Sequence, residues 1–174
     1  FFIDDKIDTG DMILQETIEI DSNENAGNLH DKLMSSGSQL VLKTVKSIEK
    51  DKVKTNPQKE PKAIKTAYKL NRDNCKINWN DSIENIYNRI RGLSPYPAAW
   101  CTLINGDDEL DIKIYKVEKE FDSHSLEPGT IIASKKELKV AVTNGYIIME
   151  EIKLPGKRAM DVKSLLNGYA FHEN

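Results

Sequence analysis

The stretch Leu138–Ile152, with the sequence LKVAVTNGYIIMEEI, decides the fold class of this chain. Apolar side chains recur at every second position of Leu138–Val142, which is the pattern of a half-buried β-strand. Asn144-Gly145 then predicts a two-residue hairpin turn, because asparagine and glycine both tolerate the positive φ that such turns require. The next apolar stretch, Tyr146–Ile152, is the second strand of the predicted hairpin.

Further short strands and two helices are predicted around this hairpin. Asp81-Ser82-Ile83-Glu84 has the pattern of a capping box that begins a helix, and Gly92 is expected to end that helix. Asp161 is expected to cap a final short helix that closes at Asn167-Gly168. The remaining strand candidates are Trp100–Ile104, Leu110–Val117 and Gly129–Ala133. Short strands with one inserted and one terminal helix predict a small, mostly antiparallel OB-like β-barrel.

The first part of the chain has a different pattern. Phe1–Ile3 and Met12–Ile20 are predicted to be strands on either side of a polar connection. Apolar residues then recur at three- and four-residue spacing between Leu29 and Ile48, which predicts an amphipathic helix with Asn25 as its cap. A charged loop between two apolar strands is typical of the late part of a larger catalytic domain. We therefore expect the chain to be a fragment of a longer enzyme.

An exposed linker is predicted between these two parts. Residues 50–66 hold many lysines, two prolines and few apolar side chains, which is the composition of a connection between domains. The expected organisation is residues 1–49 as the end of a catalytic domain, residues 50–66 as a basic linker, and residues 67–174 as the barrel domain. The fold class is then an α+β fragment.

Charge is strongly segregated along the chain, although the net charge is only −3. Residues 1–24 contain eight carboxylates and one lysine, whereas residues 43–76 contain eleven basic and four acidic side chains. An acidic segment beside a basic one is consistent with a polyanionic partner. Charge alone favours the simpler interpretation, in which the basic segment is a solvated, lysine-rich linker.

The chain offers no motif for metal binding or for catalysis by cysteine. Cys75 and Cys101 are isolated in sequence, and His30, His124 and His172 are scattered, so neither a zinc spacing nor a triad is formed. Two unpaired thiols fit a reducing, cytoplasmic compartment. No apolar run is long enough to span a bilayer, and we expect no metal, no membrane and no protein partner.

Eight sequence blocks indicate a family when they are taken in order. They are IDTGDMIL, AGNLHDKLMSSGSQLVLKT, PQKEPKAIKTAYKL, INWNDS, IRGLSPYPAAW, PGTI, VTNGYIIMEEI and PGKRAMDVKSLLNG. Together they resemble the C-terminal half of bacterial methionyl-tRNA formyltransferases, and the resemblance covers essentially the whole chain. The first block is shared with other folate-dependent formyltransferases, but its combination with IRGLSPYPAAW and PGKRAMDVKSLLNG is specific.

The resemblance implies a Rossmann-like formyl-transfer domain that a basic linker joins to an OB-like barrel. Residues 1–49 are then a strand-loop-strand-helix remnant of that first domain. The implied reaction moves a formyl group from 10-formyltetrahydrofolate to the amino group of methionyl initiator tRNA. Asp8 matches the family's catalytic aspartate, which acts with an Asn-x-His motif far upstream. No such motif precedes Asp8 here, so we expect these 174 residues alone to be inactive.

The chemistry of formyl transfer suits a carboxylate at Asp8. An amine must lose a proton as it attacks a formyl carbon, and a carboxylate can relay that proton or orient a histidine. Without the resemblance, Asp8 is better interpreted as a turn residue, because Asp-Thr-Gly is a common turn composition. By the resemblance, the connection also borders the pterin of the folate through backbone groups, and this makes Asp5, Lys6 and Ile7 candidates for folate binding.

Basic side chains are the candidates for tRNA contact, because they neutralise phosphates and release counterions. Tyr96 and Trp100 have the flat faces on which a base can stack. Large aromatic side chains beside proline turns more often bury area in a core, and we expect core packing for both. The basic candidates are Lys52, Lys54, Lys59, Lys62 and Lys65 in the linker, and Lys157 and Arg158 after a Pro-Gly turn of the barrel.

Two other functions remain open. One is a stand-alone RNA-binding barrel, in which residues 1–48 are a stabilising appendage. The other is a related folate-dependent formyltransferase that acts on an amino-sugar. The acidic first segment argues against a simple RNA-binding module, because carboxylates repel phosphates. An Asn-x-His motif before Phe1 in the full-length gene product would favour a formyltransferase.

Overall fold

A computed structural model describes residues 1–5, 9–58 and 66–171 of the chain. The chain divides into two compact units. The N-terminal unit comprises Phe1–Ser22 and Asn28–Lys69, and the C-terminal unit comprises Asn23–Gly27 and Leu70–Asn174. The domain boundaries expected from sequence composition stay a prediction.

One long helix dominates the N-terminal unit. This helix, α1, extends over Ala26–Glu49 and confirms the amphipathic helix predicted from the apolar spacing. Within residues 1–5 and 9–22 the structure has no strand, and Met12 forms only an isolated bridge with Asn56. The strands predicted at Phe1–Ile3 and Met12–Ile20 are therefore wrong, because no neighbouring strand among the described residues offers either stretch a ladder of hydrogen bonds.

The C-terminal unit is built on one antiparallel six-stranded sheet with few helices. The strands are β1 (Ala99–Asn105), β2 (Asp108–Phe121), β3 (Ile131–Ala133), β4 (Leu138–Val142), β5 (Gly145–Lys153) and β6 (Met160–Asp161). Their order in the sheet is β1-β2-β5-β4-β3, and β6 pairs with β5. The five predicted strands are confirmed, with ends that differ by a few residues. The observed architecture is an antiparallel half-barrel.

The turn between β4 and β5 differs from the predicted one. Val142 pairs with Gly145, so the two loop residues are Thr143 and Asn144, and only Asn144 takes a positive φ, of 63°. Gly145 is already a strand residue. A Cβ at this position would lie 2.1 Å from the carbonyl oxygen of Glu120 on β2, so close strand packing is what requires glycine here.

The inserted helix, α2 (Ile83–Leu93), begins and ends one residue later than predicted. The Ser82 hydroxyl accepts the Asn85 N–H at 3.2 Å, so Ser82 is the cap instead of Asp81. Gly92 lies inside the helix, which continues to Leu93. The terminal helix, α3 (Val162–Leu166), is capped by the Asp161 carboxylate as predicted.

The core of the C-terminal unit forms where α2 packs against the sheet. Ile86 and Ile90 of α2 are fully buried, as are Ile114 on β2 and Ile147 and Ile152 on β5. Burial of each such side chain contributes about 1.5–3 kcal/mol. This core holds the outward-facing side chains of the sheet in fixed register.

Candidate functional site

We call residues 4–11 of the N-terminal unit the acidic loop. Two of its described side chains are hydrogen-bonded to each other. The Thr9 hydroxyl donates to the two carboxylate oxygens of Asp4 at 2.7 and 2.9 Å. The predicted catalytic residue Asp8 and the predicted folate contacts Lys6 and Ile7 lie outside the described residues. Asp5 is described and is exposed. The hydrogen bonds therefore bring Asp4 and Thr9, which lie on either side of residues 6–8, into contact.

Glycine is required at position 10, because the backbone of Phe2 passes close to it. The Phe2 N–H donates to the Asp11 carbonyl at 3.0 Å. A Cβ at Gly10 would lie 1.6 Å from the Phe2 carbonyl oxygen, which is too close for any side chain. The glycine of the Asp-Thr-Gly-Asp sequence is thus fixed by backbone packing.

Part of the predicted linker holds the same loop. The backbone groups of Asn56 and Met12 exchange two hydrogen bonds of 2.9 Å. The Thr55 hydroxyl donates to the Asp11 carboxylate at 3.0 Å, and the Gln58 amide donates to the Gly10 carbonyl at 2.8 Å. Residues 55–58 are therefore packed against the acidic loop, which composition alone did not predict.

The predicted tRNA contacts are only partly described. Lys52 and Lys54 are exposed just after the end of α1. Lys157 and Arg158 are exposed in the turn that follows β5, where Gly156 has a φ of 70°. Lys59, Lys62 and Lys65 lie outside the described residues. The structure therefore places two of the five linker candidates and both barrel candidates at the protein surface.

One Asn-x-His sequence does occur in the chain, downstream of Asp8. It is Asn28-Leu29-His30, near the beginning of α1. The His30 side chain is 72% exposed and its Nδ1 lies 3.2 Å from the Asp31 carboxylate. The resemblance implies a motif far upstream of Asp8, so this tripeptide matches the implied motif in spacing and not in position.

The apolar face of α1 is open to solvent among the described residues. No residue of this helix is buried, although its sequence is amphipathic. The exposed apolar side chains are Leu33, Met34, Val41, Leu42, Val45 and Ile48. A helix of this kind is ordinarily stabilised by packing of its apolar face.

Tyr96 and Trp100 differ in burial. Tyr96 is 85% exposed, so the prediction that it packs in the core is wrong. Trp100 is half-buried at the edge of the core, as expected. Its indole N–H donates to the Arg72 carbonyl at 2.7 Å, and its ring lies 4.1 Å from the Arg72 guanidinium and 5.0 Å from the Lys76 ammonium. Sequence reasoning missed this cation–aromatic cluster, because Arg72 and Trp100 are far apart in the chain.

The cysteines and the second described histidine have structural roles. Burial raises the pKa of the Cys101 thiol to about 12, which removes the thiolate that nucleophilic chemistry needs. His124 Nε2 lies 3.0 Å from the Val142 carbonyl and 2.8 Å from the Gly145 carbonyl, so this nitrogen carries a hydrogen. The ring thereby ties the β4–β5 turn to the loop that follows β2.

The described residues contain neither a cluster of metal-binding side chains nor a membrane-spanning helix. In residues 1–5, 9–58 and 66–171, no group of three His, Cys, Asp or Glu side chains is arranged to hold a metal ion. Within the same residues, no helix has the length and apolar character needed to cross a membrane.

Comparison with known proteins identifies the family. Residues 69–170 match the family described as formyl transferase, C-terminal domain, and the chain belongs to this family. It is 54% identical over 173 residues to the methionyl-tRNA formyltransferase of Flavobacterium johnsoniae, covering 99% of this chain and 55% of that protein. The enzyme of the same name from Bacteroides fragilis is 40% identical over 178 residues. The chain thus spans about half the length of these curated relatives.

Solved structures show the same fold at low sequence identity. HypX from Aquifex aeolicus, in complex with tetrahydrofolic acid, superposes with a TM-score of 0.66 and 14% identity, covering 95% of this chain and 28% of that one. WlaRD, a sugar 3N-formyl transferase, gives a TM-score of 0.57 and 22% identity over 90% of this chain and 53% of that one. The shared fold is therefore that of formyltransferases and their structural neighbours.

Proposed function

We propose that this chain serves an enzyme that transfers a formyl group from 10-formyltetrahydrofolate to the amino group of methionyl initiator tRNA. The observation that carries the proposal is the 54% identity to a methionyl-tRNA formyltransferase along 99% of this chain. Because the chain corresponds to 55% of that relative, the reaction is assigned to the full-length protein and not to these 174 residues alone.

Asp8 is the proposed catalytic carboxylate. It would accept or relay the proton that the methionine amine loses on attack, or orient a histidine that does so. The structure of its surroundings supports this role. The Asp4–Thr9 hydrogen bonds, the close passage at Gly10 and the contacts of residues 55–58 tie together the described residues on either side of residues 6–8.

The same loop is the proposed contact for the folate co-substrate. Asp5, Lys6 and Ile7 would offer backbone N–H and C=O groups to the pterin, which has donors and acceptors along its edge. Asp5 is exposed to solvent, which supports a contact with a ligand at this position. The co-substrate supplies the formyl group, and the chain supplies binding and the carboxylate.

The N-terminal unit is the proposed end of the Rossmann-like catalytic domain. The exposed apolar face of α1 supports this assignment, because an amphipathic helix without buried residues lacks the packing partner it needs. The remainder of the longer relatives is the proposed partner. The half-barrel of the C-terminal unit is proposed to be an OB-like domain, and the buried, unpaired cysteines support a cytoplasmic location.

Initiator tRNA is the proposed macromolecular partner. Lys52, Lys54, Lys157 and Arg158 are exposed and positively charged, as phosphate contacts must be. Lys59, Lys62 and Lys65 are proposed to act with them on the basis of sequence. These contacts would position the tRNA without reading its sequence.

An amino-sugar is the second candidate substrate, because a sugar formyltransferase shares this fold. The deciding experiment supplies the full-length protein and 10-formyltetrahydrofolate with methionyl initiator tRNA or with an amino-sugar nucleotide. Formation of N-formylmethionyl-tRNA, without formylation of the sugar, is the expected result. Formylation of the sugar alone would overturn the proposal. Methionyl elongator tRNA is the control, because it carries the same methionine on a different tRNA.

A further inference from the structure

The residues at the beginning of α1 belong to the C-terminal unit, although most of the helix does not. Asn23–Gly27 are grouped with the C-terminal unit, whereas Phe1–Ser22 and Asn28–Lys69 form the N-terminal unit. Because α1 extends over Ala26–Glu49, one continuous helix begins in the first of these units and continues in the other. We call Asn23–Gly27 the anchor segment.

Two side chains of α2 hold the anchor segment through its polar groups. The Tyr87 hydroxyl donates to the side-chain carbonyl of Asn23 at 3.2 Å, and the Arg91 guanidinium donates to the Glu24 carbonyl at 2.8 Å. Tyr87 and Arg91 are four positions apart, so they lie on the same face of α2. Both hydrogen bonds are partly buried, and a partly buried bond is stronger than one that water surrounds.

Backbone packing fixes the other end of the anchor segment. The Gly27 N–H donates to the Ser94 carbonyl at 3.1 Å, just after the end of α2. A Cβ at Gly27 would lie 2.6 Å from Cδ of Pro95, and this atom belongs to a ring that cannot rotate away. Close contact with the loop that follows α2 therefore requires glycine at position 27.

Within the N-terminal unit, α1 holds the stretch that follows the acidic loop. The Ser36 hydroxyl donates to the Glu16 carboxylate at 2.7 Å, and the Lys32 ammonium lies 2.8 Å from the Asp21 carboxylate. Glu16 and Asp21 belong to residues 12–22, which connect the acidic loop to the anchor segment. Polar contacts at exposed positions are individually weak, so the position of this stretch depends on where α1 begins.

We propose that Arg91 and Gly27 are positioning residues for the acidic loop. They fix the point at which α1 begins, α1 holds residues 12–22, and these residues lead directly from the acidic loop. A displacement of about 1 Å at a reacting group can lower a rate on the order of a hundredfold, even when the altered residue is far from the chemistry. The inference rests on the proposed function for the reaction that is measured.

The first test compares two glycine-to-alanine changes on α1 in the full-length protein. Gly27→Ala places a methyl group against the Pro95 ring, whereas Gly37→Ala meets no atom within 4 Å and is the matched control. We expect Gly27→Ala to lower the kcat of formyl transfer to methionyl initiator tRNA on the order of tenfold, with tRNA affinity unchanged. Gly37→Ala should change neither quantity.

A second variant decides the matter even where Gly27→Ala does not fold. Arg91→Met removes the donor to the Glu24 carbonyl and adds no atom to the anchor segment. Arg89→Met is its control, because Arg89 also lies on α2 and donates to a backbone carbonyl, that of Asn74. Arg91→Met should lower kcat as Gly27→Ala does, and Arg89→Met should not.

Hydrogen exchange of the Met12 amide supplies a measurement that does not depend on activity. The Met12 N–H donates to the Asn56 carbonyl at 2.9 Å and lies directly after the acidic loop. In the full-length protein, this amide should exchange on the order of tenfold faster in Arg91→Met than in wild type, because local opening becomes easier. In Arg89→Met it should exchange at the wild-type rate.

Several results would overturn the inference. Wild-type kcat in Gly27→Ala and Arg91→Met would do so and would leave the proposed function intact. Equal losses in Arg91→Met and Arg89→Met would show only a general effect on α2. A lower kcat with unchanged Met12 exchange would show that Arg91 does not act through residues 12–22. If the full-length wild-type protein formylates no methionyl-tRNA, the proposed function fails, and Met12 exchange alone then decides whether Arg91 holds this stretch.

Discussion

The helices α1 and α2 are both amphipathic, but they are stabilised in different ways. α2 buries Ile83, Ile86, Tyr87, Ile90 and Leu93 within 11 residues, whereas α1 buries none of its 24 residues. The C-terminal unit therefore supplies its own core, and the N-terminal unit leaves its main apolar face open in the described structure. The difference predicts that α1 needs further protein to cover its apolar face and that α2 does not.

The same contrast extends to the polar contacts. The acidic loop of the N-terminal unit is held mainly by hydrogen bonds of Thr9, Thr55 and Gln58, most of them at exposed positions. Such bonds contribute only about 0.5–1.5 kcal/mol each. These exposed bonds contrast with the buried apolar core of the C-terminal unit.

Amide hydrogen exchange should show the largest difference between the two helices. In this 174-residue chain, the central amides of α2 should exchange on the order of a thousandfold more slowly than those of α1, because local stability follows buried apolar contact. In the full-length protein the α1 amides should become strongly protected. Equal protection of both helices in the 174-residue chain would show that α1 needs no further partner.

Shortening a single side chain should destabilise the C-terminal unit more than the N-terminal unit. Ile90→Ala removes a side chain with 0% exposure and should lower the free energy of unfolding by about 2–5 kcal/mol. Val41→Ala on α1, at 64% exposure, should change it by no more than about 0.5 kcal/mol in this chain. Chemical denaturation measures both. A larger cost for Val41→Ala in the full-length protein would show that its face is covered there.

Replacing glycine by alanine should destabilise the C-terminal unit at position 145 and stabilise α1 at position 37. Both effects should be smaller than that of Ile90→Ala. Gly145→Ala places a Cβ 2.1 Å from the Glu120 carbonyl oxygen and should destabilise the C-terminal unit by about 1–3 kcal/mol. Gly37→Ala on α1 meets no atom within 4 Å and should stabilise that helix by about 0.5–1 kcal/mol. Circular dichroism during thermal unfolding measures both changes. Tolerance of alanine at position 145 would mean that β2 and β5 can separate without cost.

Local patterns in the sequence were sufficient for most of the C-terminal unit. Alternating apolar residues located the strands, and Asp161 was correctly predicted to cap α3. The β4–β5 turn was displaced by one residue, because the need for Gly145 comes from its contact with a different strand, β2. The strands predicted in residues 1–20 failed for the same kind of reason: strand formation depends on a partner that local sequence does not specify.

The candidate site was less predictable from the sequence than the C-terminal unit. The Asp-Thr-Gly-Asp sequence and the family resemblance pointed to Asp8, but neither revealed that Asp4 and Thr9 close the loop or that residues 55–58 hold it.

The most direct test of the proposed activity is the turnover number of the full-length Asp8→Asn variant with methionyl initiator tRNA. Asparagine keeps the shape of the side chain and removes its charge and its capacity to relay a proton. His30→Ala is the control, because His30 belongs to the exposed downstream Asn-x-His sequence and should leave kcat within a few-fold of wild type. We expect Asp8→Asn to lower kcat by about a hundredfold or more, with tRNA affinity unchanged. A kcat within a few-fold of wild type would show that Asp8 is only a turn residue and would contradict the account.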